Sequence, residues 1–91
     1  MPTIDHSRFY RHDELLALLR ALAAEHPRFV SLQTIGRSHE GRDIALVTMT
    51  DAEAGPAADK PAYWVDGNIH SVELSASAAC LYFVDWLLRN R

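Results

Sequence analysis

Apolar residues recur along this chain at two different periods, and the change of period marks out its elements. Across residues 13–26, Leu15, Leu18, Leu19 and Leu22 fall at i, i+3, i+4 and i+7, the spacing that gathers them on one face of a helix. Asp13 and Glu14 lie in the first turn of that run, where negative charge complements the helix dipole. Pro27 ends it, because the residue before a proline resists helical geometry. Residues 1–10 read as an irregular arm ahead of the helix. From Val30 the period becomes two. Val30, Leu32 and Thr34 would share one face of a strand over residues 30–35, with Ser31, Gln33 and Ile35 on the other. A turn-rich interval, residues 36–41, leads into a second strand over 43–50, and two strands joined by a short Gly-containing connection predict an antiparallel hairpin.

Residues 51–60, with Gly55, Pro56 and several alanines, read as a loop. The next run, residues 61–66 (PAYWVD), is short, apolar, rich in aromatic and β-branched residues, and flanked by Pro61 and Gly67. It predicts a buried strand. Residues 73–90 then predict a second helix that is apolar over most of its circumference, through Leu74, Ala76, Ala78, Ala79, Cys80, Leu81, Phe83, Val84, Leu87 and Leu88. A helix of that kind belongs inside a larger protein, and 91 residues provide little to surround it. The order α-β-β-β-α implies an α/β layer with a mixed sheet and flanking helices, in a single domain spanning residues 1–91.

Composition narrows the functions open to such a chain. Nine basic and 12 acidic residues leave a formal charge of −3, too mild for a nucleic-acid or anionic-membrane partner. The longest apolar stretch, residues 78–84, is too short to span a bilayer. Residues 1–11 are polar and lack the apolar core of a secretory signal, so a cytoplasmic protein is expected. The single cysteine, Cys80, excludes an internal disulfide and fits a reducing compartment or an incidental core position.

The strongest candidate chemistry is His70-Ser71-Val72-Glu73, placed where the third strand has ended and the second helix begins. In sheets flanked by helices, ligands collect at strand ends. Imidazole and carboxylate are both good zinc ligands. At i and i+3, across a turn into a helix, the two side chains can converge on one ion. Spacing alone favours a plainer account, in which Glu73 charges the helix start and His70 is a loop histidine. Arg37, Glu40 and Arg42 read as solvated or paired hairpin charges, and His39 as a surface residue. His6, His12 and His26 have no acidic residue at metal-ligand spacing, and Ser71, Ser75 and Ser77 lack a nucleophile-elbow pattern. Tyr63, Trp64, Tyr82 and Trp86 sit in strand and helix runs that read as core.

Several separated segments change that weighting. Tyr10 and Asp13-Glu14-Leu15 begin the series, followed by Glu25-His26-Pro27, Val30-Ser31-Leu32 and Ile35-Gly36-Arg37-Ser38. Glu40-Gly41-Arg42, Lys60-Pro61-Ala62, Asp66-Gly67-Asn68-Ile69-His70-Ser71 and Glu73 complete it. In this order, over nearly all of the chain, they resemble the N-terminal part of the zinc metallocarboxypeptidase family that includes carboxypeptidase A. The resemblance implies that His70 and Glu73 are zinc ligands. It also implies a fold with a mixed eight-stranded sheet between helices, and hydrolysis of the C-terminal peptide bonds of peptide or protein substrates. The family's second histidine ligand, its carboxylate-holding arginine and asparagine, its mobile tyrosine and its general-base glutamate come from further along than these residues. The chain alone is therefore expected to bind Zn2+ weakly and to be inactive. Val72 stands where the digestive members carry a substrate-touching arginine, so their subsite preference does not carry over. Two other readings stay open: a zinc deacylase of the aspartoacylase and succinylglutamate desuccinylase type, and a non-catalytic interaction module whose apolar helix drives self-association.

Overall fold

A computed structural model describes residues 3–67 and 74–90. Helix α1 (His12–Glu25) is followed by strands β1 (Val30–Arg37) and β2 (Asp43–Met49), two short 3-10 turns (Ala52–Ala54 and Ala57–Asp59), and helix α2 (Leu74–Arg89). The first helix starts where its charges predict. The Glu14 carboxylate accepts the Arg11 backbone N–H at 2.9 Å, one arm of a capping box, and also takes the Arg8 guanidinium at 2.9 Å. At the other end the His26 carbonyl accepts N–H groups from both Phe29 and Val30, at 3.0 and 2.9 Å, and this tight corner carries the chain through Pro27 into β1.

The two strands pair antiparallel, from Val30 opposite Met49 to Arg37 opposite Asp43. Their register shifts between Thr34 and Gly36, so Ile35 is the extra residue of a bulge and is turned out to solvent. The alternation holds as expected through Gln33, and Thr34, expected on the face of Val30 and Leu32, is exposed. Val30 is buried and Leu32 half-buried, while Ser31 and Gln33 are exposed. The tip closes on Gly41, whose φ of 80° suits a residue without Cβ. There Ser38 N–H donates to the Arg42 carbonyl at 2.8 Å. At the open end, Arg28 grips Asp51 in a two-pronged ion pair (2.7 and 2.9 Å) and reaches Glu53 at 2.6 Å.

The core joins the arm, both helices and the first strand. Ile4 from the arm, Leu19 and Leu22 from α1, Val30 from β1, and Leu81 and Leu88 from α2 are buried together. The arm is irregular, as expected, but it is not idle. Besides inserting Ile4, it delivers His6 Nε2 to Asp85 Oδ2 at 2.8 Å, across 79 positions of sequence. Asp85 is 5% exposed and also accepts from Arg89 Nε at 3.0 Å, so its buried carboxylate is paired on both oxygens.

Two expectations need correction. Residues 61–66 form no strand, and the mixed sheet is, among the described residues, a two-stranded antiparallel hairpin flanked by two helices. A strand buried on both faces needs ladder partners at its edges and helices on its faces. Here β1 and β2 pair only with each other, and the segment's aromatic side chains stand in solvent, with Tyr63 88% and Trp64 66% exposed. The second correction concerns α2. It buries Leu81 and Leu88 together with the charged Asp85, and leaves Tyr82, Phe83 and Trp86 exposed. No helix among the described residues is long and apolar enough to cross a membrane.

Candidate metal half-site and its surroundings

His70 and Glu73, the two side chains singled out from the sequence as metal ligands, lie outside the described residues. What the structure describes is the framework on either side of them. Upstream, the exposed segment ending at Gly67 is braced by a hydrogen bond from Trp64 Nε1 to Asp66 Oδ2 at 2.8 Å. Downstream, α2 begins at Leu74. These two flanks touch. A Cβ placed on Gly67 would stand 2.8 Å from the Ala76 carbonyl oxygen, 2.9 Å from its carbonyl carbon and 3.0 Å from Cys80 Sγ. Burial pushes the Cys80 thiol above its ordinary pKa, and the negative charge of Asp66 adds to the shift.

The donor chemistry of the pair fits zinc. One imidazole nitrogen and one carboxylate oxygen, three residues apart at the start of a helix, are borderline and hard donors that this ion accepts. Two donors fall short of the three that a catalytic zinc ordinarily takes from protein. Among the described residues, no three His, Cys, Asp or Glu side chains gather where they could hold a metal.

The remaining polar candidates gather no site among the described residues. Arg42 pairs with Glu40 at 3.5 Å and Arg37 with Asp43 at 3.7 Å, all on the exposed hairpin, and such pairs contribute little. His39 is a surface residue. His12 and His26 stand at opposite ends of α1, each with a buried Nε2 that has no hydrogen-bond partner. His6 has an acidic partner, Asp85, 79 positions away and so outside any metal-ligand spacing in the sequence. The i, i+4 spacing of Asp85 and Arg89 was readable as a helix pair, but nothing in the sequence pointed from either of them to His6. A shallow cleft lined by Ile4, His6, Tyr82, Asp85 and Trp86 opens between arm and α2.

These features define an α/β chain that carries a His-x-x-Glu pair immediately ahead of a helix. Comparison with known proteins narrows the class. The family model described as zinc carboxypeptidase matches residues 15–91, and the chain belongs to this M14 zinc carboxypeptidase family. It is 32% identical over 87 residues to carboxypeptidase B of Astacus astacus, covering 96% of this chain and 27% of that protein. With carboxypeptidase A1 of Bos taurus the identity is 35% over 81 residues, 89% of this chain and 18% of the relative. Zinc carboxypeptidase A 1 of Anopheles gambiae is 33% identical over 86 residues, covering 94% and 19% respectively. The chain thus spans between about a fifth and a quarter of the length of these relatives.

Proposed function

We propose that this chain forms the first part of the catalytic domain of a zinc metallocarboxypeptidase and contributes His70 and Glu73 as two of its metal ligands. The observation that carries the reading is the position of the His70-x-x-Glu73 pair inside the stretch matched by the zinc carboxypeptidase family. That match and the carboxypeptidase names of its relatives also favour a peptidase over the deacylase alternative. Peptide or protein C-termini are the substrates this reading implies. When bound, zinc supplies Lewis acidity toward the scissile carbonyl and lowers the pKa of a coordinated water.

The chain's own residues would hold and orient. His70 would present a neutral imidazole nitrogen and Glu73 an ionised carboxylate, since both must be deprotonated to ligate. Glu73, immediately before the first residue of α2, would keep its charge with help from the helix dipole. The third ligand, the general base and the groups that clamp a substrate carboxylate would come from polypeptide beyond these residues. The exposed aromatic side chains of Tyr63, Trp64, Tyr82, Phe83 and Trp86 fit a surface that such polypeptide would cover.

The test is a zinc titration of the 91-residue chain. Weak binding, lost in His70→Ala and in Glu73→Gln, is the expected outcome, with no release of C-terminal residues from peptides. Equal zinc binding by the wild type and both variants would overturn the assignment of the pair.

A further inference from the structure

Between Ser75 and Trp86 the only charge on α2 belongs to Asp85, and it is buried. The exposed side of that stretch is therefore uncharged. Ser75, Ala79, Tyr82 and Trp86 are all exposed, and they follow one another at intervals of four, three and four residues, the spacing of a single seam along a helix. The outer face of a helix ordinarily carries charged and polar residues, and an uncharged one with aromatic side chains marks a contact surface. The seam has borders. On one side Gly67 is seated on Ala76 and Cys80. On the other the His6 ring meets Tyr82 edge-on, with the ring centroids 5.0 Å apart.

The order of sizes along the seam identifies what fits it. The small residues Ser75 and Ala79 fill its first half, and the large residues Tyr82 and Trp86 its second. Laid against itself in the opposite direction, about a point midway between Ala79 and Tyr82, the seam sets Ser75 opposite Trp86 and Ala79 opposite Tyr82. Every layer then joins one small and one large side chain, and a two-fold axis relates the copies. Parallel pairing would instead set Trp86 against Trp86 and leave a gap at Ser75. We propose that α2 is a self-recognition surface through which two copies of this chain pair antiparallel, Ser75 of each against Trp86 of the other and Ala79 against Tyr82. The antiparallel direction also places opposite ends of the two helix dipoles together. Tyr82 and Trp86 are 52% and 47% exposed, and Phe83, at the margin of the seam, 41%. Each copy thus offers roughly 300 Å² of aromatic surface, well under the ~800 Å² per partner of a stable complex, so the dimer is weak and reversible. Further polypeptide in a longer chain would compete for the same seam, and in the 91-residue chain the occupant is a second copy.

The first arm of the test is sedimentation velocity of the 91-residue chain in the presence of a chelator, from micromolar to millimolar concentration. The apparent mass should rise from that of the monomer, 10.2 kDa, toward twice that value and no further. Ala79→Tyr sets large against large and should weaken dimerisation about tenfold. Adding Tyr82→Ala swaps the sizes, restores the small–large layer and should recover most of that loss. Circular dichroism checks that each variant keeps its helices. The second arm fixes the direction of pairing. In a Cys80→Ala background, Ser75→Cys and Trp86→Cys chains are mixed and oxidised, and a disulfide should join one to the other. Ser75→Cys alone should not link to itself, because antiparallel pairing holds the two copies of position 75 about 16 Å apart. A wild type that stays monomeric at every concentration would leave the seam to other polypeptide and overturn the proposal. Growth past the dimer, self-linking of Ser75→Cys, or wild-type dimerisation in a folded Ala79→Tyr would overturn it as well.

Discussion

Replacing Leu22 by alanine should destabilise the chain more than any other single truncation in α1. Leu22 is 0% exposed and is packed among Ile4, Leu19, Val30, Leu81 and Leu88, which come from the arm, both helices and β1. The change removes about three methylene-sized groups, worth about 2.4 kcal/mol at ~0.8 kcal/mol each. A cavity cost is added, because neighbours collapse only in part. Ile4 sits on an irregular arm that can follow the missing volume, which holds the total to about 3 kcal/mol, in the lower half of the ~2–5 kcal/mol range for such changes. Against a stability of about 5–14 kcal/mol for a chain of this size, that loss lowers the melting temperature by about 12–24 °C. Urea unfolding followed by far-UV circular dichroism measures it. Ile35→Ala, at the solvent-facing bulge, is the matched control and should cost less than about 1 kcal/mol. A Leu22→Ala chain no less stable than Ile35→Ala, or a wild type without a cooperative transition, would refute the core described above.

Three further outcomes are expected. The Arg28 guanidinium holds the Asp51 carboxyl below its ordinary pKa, and the Arg11 N–H, with Arg8, does the same for Glu14. Carboxyls depressed on folding contribute stability that is present above their unfolded pKa near 4. That stability disappears as pH falls through the lower folded value, so the urea midpoint should drop between about pH 5 and pH 3. Asp51→Asn should flatten that drop, and an unchanged pH profile in the variant would count against it. His6→Ala should loosen the arm from α2 and leave Asp85 with Arg89 alone, costing about 1–3 kcal/mol. Tryptic cleavage after Arg8 and Arg11 should then accelerate, and equal cleavage rates would disprove the clasp. Replacing Tyr82 and Trp86 together by serine should reduce any self-association seen by light scattering without lowering the melting temperature, because both side chains are exposed. A large loss of stability would show that they are buried.

The parts of this fold legible in the sequence are those whose pattern is local. Leu19 and Leu22 announced the buried face of α1 by spacing alone, Pro27 marked its end, and the alternation from Val30 to Gln33 identified the buried face of β1. Ile35 is exposed on the side expected of it, with Ser31 and Gln33, but the bulge there escaped because one extra residue near a strand's end leaves no mark in the alternation. The arm escaped for a different reason. Ile4 and His6 find their partners in α2, and nothing in a polar, aperiodic opening foretells contacts at that distance along the chain. Of the candidate site, the ordered family segments point to His70 and Glu73, which lie outside the described residues. The close seat of Gly67 on Ala76 was not legible, since a glycine before an asparagine reads simply as a turn.

The two corrections to the fold have a common origin. The apolar run over residues 61–66 and the aromatic face of α2 were both read as interior, and both are exposed here. Hydrophobic pattern records the surroundings a segment is selected for, and a buried strand realises its pattern only with neighbours on both edges and both faces. Tyr63, Trp64 and Val65 have no ladder partner among the described residues, so their exposure does not contradict a strand-forming composition. Gly67 connects the two surfaces, because its contact lays the end of the 61–66 run directly against α2. Polypeptide that covered one surface would meet the other. A chain extended by further polypeptide should therefore bury Tyr63, Trp64, Tyr82 and Trp86 together, and tryptophan fluorescence that stays that of exposed indole would refute this account of their exposure.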